Sequence, residues 1–170
     1  ALPILGNYKD ASSGNGEEIL AAKPDVIISI GDIDDRWIKS ADESQERLGV
    51  PFLMVDGDLE NLDKTYEFLG DLLGEEERAK ELADYCKETI NKTIETAKSI
   101  PEDKKVTVYY ADGEQGLTTN VAGSIHTQAI DLIGALNAAE VEVEKMSGGV
   151  DVSMEQVLTW NPKVIIASQG

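Results

Sequence analysis

The stretch Gly123-Ser124-Ile125-His126-Thr127-Gln128 holds the residues best suited to chemistry. A glycine and a serine ahead of a helical pattern read as a helix start with Ser124 as N-cap, and the helix is expected over Ile125 to Ile133. Free backbone N–H groups at such a start can hold an anion. His126, the single histidine, adds a donor, a ligand for a chelated metal, or plain packing. One histidine excludes zinc sites built on several imidazoles. A Ser-His-Asp triad is possible by count but lacks a G-x-S-x-G elbow. Cys86 is the single cysteine, so neither an internal disulfide nor a CxxC site exists. No catalytic residue and no resident metal or cofactor is assigned. Tyr8, Trp37, Tyr109 and Tyr110 are candidates for a flat aromatic wall, each equally a candidate core residue. Of the three arginines, Arg36, Arg47 and Arg78, only Arg36 falls near a loop expected at the site.

These residues need elements to position them. Val26 to Ile30 is a β-branched run suited to a parallel strand buried on both faces. Further strands are expected at Pro51 to Val55, Val106 to Tyr110 and Val164 to Ile166. Helices are expected over Glu17 to Lys23, Trp37 to Leu48, residues 60–73, Glu75 to Ser99, and Met154 to Leu158. Gly49 and Gly74 close two of them. In the longest, Ala79, Leu82, Cys86, Ile90, Ile94 and Ala97 form one apolar stripe. Residues 1–16 and 138–151 read as loops. Strands alternating with helices give an α/β class with mainly parallel sheets.

The 170 residues carry 33 acidic against 15 basic side chains, a net charge of -18. That field repels nucleic-acid phosphates and anionic membrane surfaces alike. Hydrophobic residues at 41% and charged residues at 28% describe a globular chain, and no apolar run approaches a membrane span.

An internal repeat organises the rest. Residues 17–28 superpose on residues 155–166 at a constant offset of 138, with Glu, Leu, Pro, Val, Ile and Ile identical. Each copy reads as a short helix, a proline and a strand, which implies two similar lobes. The expected division is a first lobe over 1–74, a helix over 75–100 between the lobes, and a second lobe over 101–170. Ligands of open α/β sheets bind outside the carboxyl ends of the strands. That rule places Asn7, Tyr8, Asp32, Trp37, Tyr110, Ser124 and His126 at a cleft.

The order and spacing of several short motifs then resemble one family. These are Asn15-Gly16-Glu17-Glu18-Ile19-Leu20 through Ile28, Leu48-Gly49-Val50-Pro51, and Leu69-Gly70-Asp71-Leu72-Leu73-Gly74. They continue with Gly123-Ser124-Ile125-His126, Leu132-Ile133-Gly134-Ala135-Leu136-Asn137 and Val152-Ser153-Met154-Glu155-Gln156-Val157-Leu158. Together they resemble the substrate-binding proteins of ABC importers for iron-siderophores, haem, cobalamin and related chelates. The resemblance implies two Rossmann-like lobes bridged by a rigid helix, and an extracytoplasmic receptor that is not an enzyme. It implies a metal chelate as ligand, with a molybdate- or tungstate-type oxyanion as the alternative. It implies an ABC permease dimer with its ATPase as partner, engaged through Glu17 and Glu155, and no membrane contact except through the permease or a lipid anchor outside this chain. Family members extend further before Leu2 and after Gly170, so both lobes are expected to be incomplete here. A small α/β enzyme and a cytoplasmic sensory or structural domain remain as alternatives.

Overall fold

The computed structural model describes residues 16–141 and 149–168. The chain divides into two compact units, Ala1–Asp58 and Leu59–Gly170.

In the first unit, α1 (Gly16–Ala21) leads through Lys23 and Pro24 into β1 (Ile27–Gly31), α2 (Asp35–Leu48) and β2 (Phe52–Asp56). The strands pair in parallel, Ile27 opposite Phe52 through Gly31 opposite Asp56. α2 begins where the Asp34 carboxylate accepts the Trp37 N–H at 2.9 Å. It ends at Gly49, whose φ of 65° only glycine adopts without cost. The Phe52 N–H then donates to the Gln45 side chain at 2.9 Å, tying β2 to the helix before it. Ala41, Ser44, Leu48, Val50 and Val55 form the buried part. The parallel pairing of β1 is as expected, but its burial on both faces is not. Its residues are half-buried and Ile30 is 56% exposed. β1 belongs to a sheet of two described strands, so its apolar run outstrips the surface that covers it.

In the second unit, a short 3-10 turn (Leu59–Asn61) opens α3 (Leu62–Leu73), and α4 (Glu76–Lys98) follows. Gly74, where the first lobe was expected to end, is the left-handed cap between these two packed helices. α4 is about 35 Å long at the standard rise. Its stripe is the expected one, with Ala79 buried and Leu82, Cys86, Ile90, Ile94 and Ala97 half-buried. Ala83 is buried as well.

Another 3-10 turn (Glu102–Lys104) leads to β3 (Thr107–Ala111), then β4 (Thr118–Thr119), α5 (Gln128–Leu132), β5 (Leu136–Asn137), β6 (Val150–Asp151), α6 (Met154–Trp160) and β7 (Val164–Ala167). β3 lies between β5 and β7, all parallel, while β4 and β6 pair antiparallel. β6 forms inside the stretch expected as loop, most of whose remainder lies outside the described residues. The core gathers Tyr109, Ala111, Ala138, Val152 and Val157, with Leu117, Val150 and Trp160 against it. Ser153 and Gln156 cap α6 reciprocally, each side chain accepting the other's backbone N–H. The Gln128 side chain accepts the Leu59 N–H at 2.8 Å, fastening the entry of α3 to α5.

Candidate functional site

The residues expected at the ligand are found on the two units separately. Asn7 and Tyr8 lie outside the described residues. In the first unit Asp32 follows β1 directly and is exposed. Trp37 is half-buried in the first turn of α2, and the Arg36 guanidinium stands 4.8 Å over its ring. The backbone here is fixed by the Asp34 cap. The Gly57 N–H donates to the Gly31 carbonyl at 3.0 Å, and the Asp56 carboxylate accepts the Asp58 N–H at 2.9 Å. The first bond continues the parallel ladder past Gly31 and Asp56, and the second turns the chain after β2.

In the second unit Tyr110 is half-buried on β3, while its neighbour Tyr109 is 2% exposed. Tyr109 is a core residue, its ring 6.2 Å from that of Trp160 and its hydroxyl donating to the Gly116 carbonyl at 2.9 Å. Burial raises its phenol above the ordinary value. Just past the strands, Ser168 donates its hydroxyl to the Asp112 carboxylate, linking the ends of β3 and β7. Sequence reasoning gave neither residue this partnership. The available signal is that each is the first residue past a parallel strand.

The Gly123 to Thr127 stretch departs from expectation. The α-helix begins at Gln128, not Ile125, and Ser124 is not its N-cap. Residues 121–127 form consecutive turns instead. The Ser124 N–H reaches the Val121 carbonyl and the Thr127 N–H reaches the Ser124 carbonyl. The buried Thr127 hydroxyl donates to the Val121 carbonyl at 2.8 Å. The Ser124 hydroxyl accepts the His126 N–H and donates to Asn120. The Asp131 carboxylate accepts the Gly123 N–H at 2.9 Å. Ser124 is buried and His126 is exposed.

Beneath these turns lies a polar cluster that the sequence did not disclose. Asn120 and Thr119 are buried, and the Asn137 side chain donates to the Asn120 carbonyl at 2.9 Å while accepting the Ala139 N–H at 2.9 Å. The Thr119 hydroxyl has no partner among the described residues. No three His, Cys, Asp or Glu side chains among the described residues approach closely enough to hold a metal ion. No helix among them is long and apolar enough to cross a membrane. A groove of about 430 Å³ runs along α4, lined by Tyr85, Lys92 and Ile133 among others, and none of the residues at the strand ends lines it.

Glu17 and Glu155 are both exposed, each in the first turn of a short helix, α1 and α6. The two helices lead into β1 and β7 through matching turns, so the sequence repeat is also a repeat of local structure.

Parallel sheets with helices between their strands, met twice in one chain, define a two-unit α/β architecture. The periplasmic binding protein family matches residues 5–170, and the chain belongs to that family. It is 24% identical over 162 residues to YvrC, an uncharacterized ABC transporter substrate-binding lipoprotein of Bacillus subtilis. That match covers 92% of this chain and 49% of the relative. Among solved structures, it is similar to an ABC transporter solute binding protein from Sulfurospirillum deleyianum. That likeness has 34% identity and a TM-score of 0.81, covering 98% of this chain and 51% of the other. It is also similar to a periplasmic solute binding protein from Veillonella parvula, at 30% identity and a TM-score of 0.61, covering 91% of this chain and 44% of the other. The chain therefore spans about half the length of the relatives it matches.

Proposed function

We propose that this chain is part of the substrate-binding component of an ABC importer, working outside the cytoplasmic membrane and handing its cargo to a permease dimer with its ATPase. The observation that carries the reading is the repeated helix–turn–strand unit, which sets one exposed glutamate, Glu17 or Glu155, at the start of each copy. Two like carboxylates on two like units suit a two-fold partner bearing cationic side chains. Binding and release, without turnover, is the proposed role.

The proposed cargo is a metal chelate, contacted by Asp32, Trp37, Tyr110 and His126. Half-buried aromatic rings next to exposed polar groups support a bulky, partly flat ligand over a compact ion. A bare oxyanion is less well supported, because the backbone N–H of Gly123 already serves Asp131. A thermal-shift panel of ferric siderophores, haem, cobalamin and molybdate tests the reading. A ligand at 100 times its dissociation constant stabilises the native state by about 2.7 kcal/mol, which is readily seen. A shift with a chelate supports the proposal. A shift with molybdate alone overturns the chelate, and turnover of a ligand by the pure protein overturns the receptor.

A further inference from the structure

Two aspartates of the chain stand directly before a glycine, Asp56 and Asp112. In such a pair the glycine nitrogen has no neighbouring Cβ to shield it, so it is open to the aspartate side chain. Closing that nitrogen onto the side-chain carboxyl gives a five-membered imide. The two pairs are alike in sequence and differ in structure. At Asp56-Gly57 the Gly57 N–H donates to the Gly31 carbonyl at 3.0 Å, and the Asp56 carboxylate accepts the Asp58 N–H at 2.9 Å. Nitrogen and carboxylate therefore hold different partners, and both residues are half-buried. At Asp112-Gly113 the Gly113 N–H donates to the Asp112 carboxylate itself, 2.8 Å from Oδ1. The Ser168 hydroxyl donates to the same oxygen. The carboxyl carbon is thus kept beside the nitrogen, which is the starting position for ring closure. Gly113, Glu114 and Gln115 are exposed, and Gly113 turns the chain at φ 76°.

We propose that Asp112-Gly113 is a site of spontaneous isomerisation to isoaspartate in the folded protein, and that Asp56-Gly57 is protected from it. The Gly113 nitrogen bonds to Asp112 Cγ and gives its proton to solvent, while the protonated Oδ2 leaves as water. Water then adds to the main-chain carbonyl carbon of Asp112 and breaks its bond to the Gly113 nitrogen. One water leaves and one returns, so no oxidant or co-reactant is needed. The main chain now runs through Cβ and Cγ, one methylene longer, and the former backbone carbonyl is a free carboxylate. Two ties at the end of β3 depend on the original connectivity. One is the Thr118 N–H to the Asp112 carbonyl at 3.1 Å, and the other is the Ser168 hydroxyl to the Asp112 side chain. Isomerisation alters both, at the carboxyl end of the second-unit sheet. None of this depends on the ligand assigned above.

The test is prolonged warm incubation of the wild-type protein in mildly acidic buffer, native in one sample and unfolded in urea in the other. Peptide mapping scores each site. Isoaspartate is recognised by its altered retention and by electron-based fragmentation, and the imide by a mass lower by one water. In urea the two sites should isomerise within about threefold of each other, because neither keeps its partners. In the native protein Asp56 should be slowed at least about 10-fold relative to urea, since its glycine must first leave the ladder, while Asp112 stays within about threefold. Slowing of Asp112 as strong as that of Asp56 overturns the inference, and so does native isomerisation of Asp56 at the rate of Asp112.

Discussion

Lys23 and Asn161 hold the same unusual backbone conformation, φ 50° and 47°, each one residue before a proline and 138 positions apart. No other non-glycine residue among those described has a positive φ. Each ends a short helix and turns the chain into a parallel strand, so the repeat extends to the one turn where L-residues are strained. Asparagine adopts this region at lower cost than lysine. Lys23→Asn is therefore expected to raise stability by about 0.5–1 kcal/mol, and Asn161→Val to lower it by about 1–2 kcal/mol. Thermal and urea melts of both variants check this. An unchanged or lowered midpoint for Lys23→Asn would refute the strain.

The α3–α4 pair depends on one close approach. A Cβ added to Gly70 would lie 2.3 Å from the Ala79 Cβ and 3.3 Å from the Glu76 Cα. Gly70→Ala forces the helices apart and is expected to cost about 1–3 kcal/mol. Adding Ala79→Gly removes the nearest atom and should recover a good part of that loss. A double-mutant cycle by chemical denaturation reads the coupling, and additive effects would count against the contact.

Tyr109 makes the second unit sensitive to alkaline pH. Burial raises its phenol, so the folded form keeps the proton at pH values where the unfolded chain releases it. Its contribution is present in full below the ordinary tyrosine pKa, about 10, and is lost as pH rises through the higher folded value. Tyr109→Phe should cost about 1 kcal/mol at neutral pH, because the Gly116 carbonyl loses its donor. The same variant should lose less stability than wild type between neutral and strongly alkaline pH. Parallel pH dependences for the two proteins would be evidence against the assignment.

Much of this fold was legible because local chemistry and tertiary demand agree. Gly49 and Gly74 end helices where only glycine is comfortable, α6 starts at Met154 as expected, and the stripe from Ala79 to Ala97 is buried or half-buried. The start of α5 was not legible. Ser124 and Thr127 are good caps by type, but burial commits their hydroxyls to Asn120 and Val121, and the turns they hold delay the helix to Gln128. β4 and β6 have two residues each, too few to show an alternating pattern. The Arg36–Trp37 contact was hidden for another reason: adjacent residues on a helix do not normally face each other, so adjacency in sequence says nothing of contact. The Asp112–Ser168 link joins residues 56 positions apart and is visible only once β3 and β7 pair.

His126 tests the second-unit part of the proposed site without disturbing the turns. Its backbone N–H, not its ring, is the group that holds to Ser124, and the residue is exposed. His126→Ala should therefore leave the melting temperature within about 2–4 °C of wild type. Ligand affinity should fall at least several-fold if the imidazole reaches the chelate, as proposed. Calorimetric titration decides it, and unchanged affinity would move the contact elsewhere in the second unit.

Glu17 and Glu155 should separate docking from binding. Both are exposed and neither makes an ion pair among the described residues, so Glu17→Lys and Glu155→Lys should each fold normally. Each reversal turns an attraction for cationic partner side chains into a repulsion, and exposed charges at a rim act mainly on association. Uptake in cells should fall with either variant, and further with both, while ligand affinity of the purified protein stays within about twofold. The charge-removing variants Glu17→Gln and Glu155→Gln should give a smaller uptake defect than the lysines, because they lose the attraction without adding repulsion. Comparable losses of affinity and uptake would instead place these carboxylates at the ligand, and full uptake by the double lysine variant would leave the repeated glutamates without a docking role.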